Sequence, residues 1–146
     1  MPQNKIIPVP TAEAEELKRN LLAWLNNYDG LPCRIKYEFL NPDAISMVMS
    51  TVQAPNKLRR YITGGYLGQY QFRLILRTQS LTDDERLSAD EMLETMAKYI
   101  ESADAPELDP NIKNVSFEST GAAIVSAFED GSYDHALTFN MTYEVI

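Results

Sequence analysis

The stretch DGSYDHALTFNMTYEVI (residues 130–146) decides the fold class. Asp130-Gly131 is a tight-turn signal, and strict alternation follows it. His135, Leu137, Phe139, Met141, Tyr143 and Val145 fall on one side, and Asp134, Ala136, Thr138, Asn140, Thr142 and Glu144 on the other. A period of two with one apolar and one polar face predicts a long antiparallel strand, half buried and half solvated.

Working back from that strand, KNVSFES (113–119) and GAAIVSAFE (121–129) read as two more strands. Before them, LTDDERLSADEMLETMAKYIES (81–102) reads as a helix. Thr82 and Glu85 have capping-box spacing, and Leu81, just before the cap, is expected to meet Leu87 or later apolar residues as a hydrophobic staple. Its predicted apolar stripe is Ala89, Met92, Leu93, Met96, Tyr99 and Ile100, with Asp90, Glu91, Glu94 and Lys98 facing water. QYQFRLILRTQ (69–79) alternates strongly as a strand. AISMVMSTV (44–52) and CRIKYEFL (33–40) alternate too, with the turn signal NPD (41–43) between them. Residues 53–69 have no clean period. They hold Pro55 and three glycines, and read as a mobile basic connection with a short strand near residues 60–63. The first helix is predicted over PTAEAEELKRNLLAWLNNYDG (10–30). Pro10 and Thr11 mark its cap, Leu17, Leu21, Trp24, Leu25 and Tyr28 its buried stripe, and Asp29-Gly30 its end.

The element order is therefore α-β-β-β-α-β-β-β. An α+β domain follows, a mainly antiparallel sheet with two helices packed against it. The 146 residues make one domain by length. No apolar run approaches the roughly 20 residues of a membrane helix, and the opening MPQNKIIPVPT lacks the pattern of a secretory signal. A lone Cys33 excludes an internal disulfide framework and a cysteine zinc cluster, and fits a reducing, cytoplasmic setting.

The net charge of −8 argues against a protein that grips nucleic-acid backbone. Its distribution is uneven: residues 34–79 carry +5 and residues 80–146 carry −12. Surfaces of opposite sign on neighbouring subunits would steer self-assembly. No catalytic kit emerges. His135 is the only histidine and reads as a strand residue beside the acidic Asp134. Cys33 reads as a buried thiol. TGGYLG (63–68) matches neither phosphate-binding glycine pattern and runs into a strand rather than a helix. No EF-hand spacing is present, so no metal, cofactor or catalytic residue is assigned and the chain is not expected to be an enzyme.

Three stretches together resemble the tail-terminator or head–tail joining proteins of long-tailed bacteriophages, often labelled minor capsid proteins. They are the N-terminal helix leading into LPCRIKYEFLNPDAISMVM, the strand and acidic helix of GGYLGQYQFRLILRTQSLTDDERLSADEMLETMAKYIES, and the C-terminal GAAIVSAFEDGSYDHALTFNMTYEVI. The resemblance implies a virion protein made in the host cytoplasm: a hexameric ring that stops tail-tube polymerisation and meets the head connector. DNA would pass through the lumen without being gripped. It implies tail-tube and connector partners, no membrane, and contacts through Lys57, Arg59, Arg60, Tyr61 and Tyr66 in the basic segment. The polar strand face, Thr138, Asn140, Thr142 and Glu144, is a candidate subunit contact or lumen surface. The competing expectation is a monomeric α+β domain that binds or converts a small molecule in a pocket between helices and sheet.

Overall fold

The computed structural model describes residues 7–38, 45–79, 82–102 and 108–146. Helix α1, Thr11–Leu25, buries Leu17, Leu21 and Leu25 of the predicted stripe together with Ala14, while Trp24 and Tyr28 are only half-buried. Its cap is Pro10, which offers no side-chain acceptor, so Thr11 is the first helical residue rather than the cap. The helix stops at Leu25, short of Asp29-Gly30, because Asn26 turns its side chain back on the chain. Asn26 Nδ2 donates to the Leu22 and Ile35 carbonyls at 3.1 and 3.0 Å, and its Oδ1 accepts the Ile35 N–H at 2.8 Å. One amide thus closes the helix end and pins the strand that follows.

That strand, β2 (Ile35–Tyr37), is short and pairs parallel with β3 (Ser46–Arg60), with Ile35 opposite Met47. The two therefore do not form the antiparallel hairpin that their turn signal predicts, and residues 41–43 lie outside the described residues. A two-residue strand, β1 (Ile7–Pro8), was not foreseen; it pairs antiparallel with the far end of β3. Strand β4 (Tyr66–Gln79) runs antiparallel to β3 on one side and to β7 (Ser132–Val145) on the other. Strands β5 (Ile112–Ser119) and β6 (Ala123–Ala127) share the remaining edge of β7. The terminal strand is therefore central, hydrogen-bonded on both sides. Asp130-Gly131 makes the expected tight turn, with the Phe128 N–H bonded to the Ser132 carbonyl at 2.9 Å.

The expected connection over 53–69 is instead two long strands and a turn. β3 runs to Arg60, β4 starts at Tyr66, and residues 61–65 turn between them. Three register shifts, between Thr51 and Gln53, Gln53 and Asn56, and Lys57 and Arg59, insert extra residues into β3. Each extra residue reverses which face the next side chain meets, so the alternation disappears although the pairing continues. Pro55 sits at the second irregularity, where its missing N–H costs no ladder bond, and its carbonyl accepts from Val9.

Helix α2, Asp83–Ser102, begins as its capping box predicts: the Glu85 N–H donates to Thr82 Oγ1 at 3.2 Å. Leu81 lies outside the described residues, and Leu87 is exposed. The buried stripe is Ala89, Leu93, Met96, Ala97 and Ile100. Met92 is half-buried, and Tyr99 is drawn aside to stack against Trp24 and Tyr28, with ring centroids 6.1 and 4.8 Å apart.

Both helices lie on one face of the sheet. There Met47, Met49, Phe72, Leu74, Leu137, Phe139 and Met141 meet Leu17, Leu21, Leu25, Leu93, Met96 and Ile100 in one cluster. Phe72 stacks on Phe139 at 5.2 Å and on Tyr70 at 5.4 Å. Complete burial of such a side chain stabilises by about 1.5–3 kcal/mol. The alternation of β4 and β7 therefore acts as the main driving pattern of the fold.

Candidate functional site

Opposite the helices, the sheet presents a second face that neither helix covers. Its rows follow from the register. Gln53, Gln71, Asn140 and Glu118 lie side by side across four strands, and Asn56, Gln69, Thr142 and Ser116 form the next row. Arg59, Leu67, Glu144 and Lys113 follow at the end of the sheet, and Ser50, Arg73 and Thr138 lie on the other flank. Thr138, Asn140, Thr142 and Glu144 are thus neighbours on a single face, as the alternation predicts, and all four are half-buried by adjoining rows. Thr138 is tied in further: its N–H donates to Thr120 Oγ1 at 3.0 Å and its carbonyl accepts the Thr120 N–H. The Asn140 Oδ1 is buried without a hydrogen-bond partner among the described residues, and such an atom forfeits about 1–3 kcal/mol.

This face is polar but not acidic. Cations at Lys36, Arg59, Arg73 and Lys113 and anions at Glu118 and Glu144 lie around uncharged rows of Gln, Asn, Ser and Thr, and one apolar row, Val48, Ile75 and Ala136, separates the Arg73 and Arg77 rows. The acidic surface lies on the opposite layer, where α2 exposes Asp83, Asp84, Glu85, Glu91, Glu94 and Glu101. Farther along the free face, Arg77 and Asp134 are cross-strand neighbours joined by two bonds, Nε–Oδ1 at 2.7 Å and Nη2–Oδ2 at 2.9 Å. The Phe128 ring packs 4.6 Å from that guanidinium. The pairing to Asp134 raises Arg77 above its ordinary range.

The basic hairpin ends at the same sheet end as Glu144. Arg59 and Arg60 are exposed at the end of β3 and make no ion pair among the described residues. Tyr61 opens the turn, its N–H bonded to the Gly65 carbonyl at 2.8 Å, and Gly64 follows with φ +101. Ile62 is wholly exposed at the tip and Leu58 half-exposed beside it. Two members of the predicted contact set point elsewhere. Tyr66 is buried, donating its hydroxyl to Glu13 Oε2 at 3.3 Å, and Lys57 is half-buried with its Nζ 4.6 Å from the Tyr66 ring centroid. Alternating registry puts Lys57, Arg60 and Tyr66 on the helix side and Arg59 on the free side.

The two groups with reactive potential are both occupied structurally. His135 is completely buried, and its acidic partner is Asp90 of α2 (Nδ1–Oδ1 2.8 Å), not the neighbouring Asp134. Among the described residues its buried Nε2 has no hydrogen-bond partner, so no described nucleophile reaches it. Asp90 therefore turns inward, against its expected solvent position. Burial pushes the Cys33 thiol up, partly offset by the Met47 backbone N–H, which is the opposite of an activated thiolate. No group of three or more His, Cys, Asp or Glu among the described residues could hold a metal ion. Among those residues no helix is long and apolar enough to cross a membrane.

The competing expectation of a pocket between helices and sheet named no residues for it. A cavity of about 330 Å³ opens under the first turns of α1, walled by residues as distant in the chain as Glu13, Asp109 and Tyr143. Nothing in local pattern joins them. The chain matches no protein-family model and no curated protein.

Proposed function

We propose that this chain is a structural subunit that self-associates into a ring, in the manner of the phage tail-terminator proteins it resembles, and is not an enzyme. One observation carries the reading. The helices cover only one face of the sheet, and the edge of the other meets a hairpin with two arginines that make no ion pair among the described residues and the exposed apolar Ile62 and Leu58. Exposed apolar side chains rimmed by polar and basic ones suit protein contact.

The charge layout assigns the surfaces within this proposal. The mixed, uncharged-centred sheet face and the hairpin tip make the subunit contacts, where an acidic face would repel its copy. The acidic outer side of α2 either receives the neighbour's Arg59 and Arg60 or faces passing DNA, which it would repel rather than grip. Tail-tube and connector proteins are the further partners of the proposed ring, and the virion tail its place.

Mass photometry of the chain, alone and with tail tubes, tests the reading. A particle near six times the 16.5 kDa subunit is expected. Arg59→Glu with Arg60→Glu should reduce it to the monomer while circular dichroism stays unchanged. A monomer in both settings, or a double variant that assembles normally, would overturn it. The cavity under α1 favours a second reading, a monomeric domain that binds a small molecule between helix and sheet. A constant monomer mass with saturable ligand binding would support that one.

A further inference from the structure

The cavity under α1 has a wall chemistry that neither the hydrophobic core nor a ring contact requires. Three carboxylate residues line it, Glu13 and Glu16 from the first turns of α1 and Asp109 from the approach to β5, and among the described residues no Lys or Arg does. Tyr66 and Tyr143 contribute hydroxyls, while Leu17, Ile112 and Val145 make an apolar wall. Its volume of about 330 Å³ lies within the range of small-ligand sites.

The second observation is Tyr143. It is 1% exposed, and its hydroxyl faces that of Tyr66 without a hydrogen bond of normal geometry to any described residue. Gly68 makes room for it: a Cβ there would lie 2.4 Å from Tyr143 Cζ. The ring is thereby held beside Tyr66 and within the field of Glu13, both in the cavity wall. Tyr66 is already turned to Glu13, and burial with that carboxylate pushes its phenol up to about 12. Burial likewise drives Tyr143 well above its ordinary value. Both phenols therefore stay neutral near pH 7, polar without adding charge.

A ligand suited to these walls brings N–H donors and positive charge to the carboxylates, sets its head beside the Tyr66 and Tyr143 rings, and lays an apolar stem against Ile112 and Val145. Anions are disfavoured by Glu13, Glu16 and Asp109. We propose that the cavity between α1 and the β4–β7 end of the sheet is a binding site for a small ligand with an alkylammonium or alkylguanidinium head. Lys57, beside Tyr66 but outside the lining, is a competing cation whose removal should strengthen binding.

Isothermal titration of the full chain with agmatine and with putrescine tests this, using 1,4-butanediol and succinate as neutral and anionic controls. Methyl NMR of Ile112 and Val145 locates the site in monomer or ring alike. Saturable binding of at least one amine, with shifts at both methyl groups and none from the controls, is expected. Glu16→Gln, at an exposed position, and Tyr143→Phe, which keeps the ring volume, should each weaken it, the charge variant by about tenfold. Absence of saturable binding, equal response to butanediol, or affinity unchanged in both variants would overturn the proposal. Particle mass measured on the same samples reports assembly separately, so either result can fail without the other.

Discussion

Gly68→Ala tests the register that holds the sheet together. Gly68 lies opposite Tyr143 in the β4–β7 ladder, and the added Cβ would fall 2.4 Å from Cζ and 2.6 Å from Cε2 of the ring. These are ring atoms in a side chain that is 1% exposed, so the ring as a whole must shift. Forcing extra volume into a packed site costs roughly 1–3 kcal/mol. Against this, replacing glycine removes freedom from the unfolded chain and returns about 0.4–1 kcal/mol. The net expectation is a loss of about 1–2 kcal/mol. With a urea dependence of about 2 kcal/mol per molar, the unfolding midpoint should fall by roughly 0.5–1 M.

The cause is identified by a partner substitution. Tyr143→Leu alone leaves a void and should cost about 2–4 kcal/mol. In the double variant the alanine methyl has space, so the combined loss should be smaller than the two single losses added, by about 1 kcal/mol or more. Urea melts of the four proteins followed by far-UV circular dichroism complete the cycle. A Gly68→Ala protein within about 0.5 kcal/mol of the parent, or strictly additive losses, would refute the close approach and with it the facing of Gly68 and Tyr143.

Asp134→Ala should destabilise by about 2–3 kcal/mol, because it strands the half-enclosed Arg77 guanidinium between strands. Replacing the pair together, Arg77→Met with Asp134→Leu, should recover most of that in chemical melts; failure to recover would mean that the ion pair itself, rather than the stranded charge, supplies the stability. Alkaline stability follows from Tyr66. Its folded value is raised to about 12 from about 10 in the unfolded chain, so the unfolded state loses its proton first. The contribution is complete below about pH 10 and disappears as pH rises toward 12. Glu13→Gln should flatten that decline in thermal melts between pH 9 and 11.5, and an identical slope would count against the Tyr66–Glu13 contact.

The local pattern was sufficient wherever burial is one-sided and the backbone regular. α1 and α2, the alternating faces of β4 and β7, the Thr82 cap and the Asp130-Gly131 turn are all legible residue by residue, since each depends on neighbours within a few positions. So is the α+β class, and so is the sharing of one face by Thr138, Asn140, Thr142 and Glu144. Bulges defeated the reading of residues 53–69: three insertions break the period of two, while the hydrogen bonds to β4 continue across them. The parallel direction of β2 depends on which strand it meets, and the early end of α1 depends on Asn26 finding Ile35 nine residues away. Neither leaves a periodic trace.

The residues bearing on function divide in the same way. Arg59, Arg60 and Tyr61 are at the hairpin's end in the sequence and in space, but burial removes Tyr66 from the contact surface and gives it to Glu13. His135 could be located on a strand from its alternation, yet its partner Asp90 lies 45 positions away on a helix. The sequence by itself determined the main apolar stripes of the helices and strands and the segments that carry the charge of each sign. Only the tertiary structure decided that Glu13, Asp109 and Tyr143 share one cavity and that both helices pack on the same sheet face. Those facts arise from strand order and helix placement, which set distances between residues far apart in the chain, and no local periodicity encodes such distances.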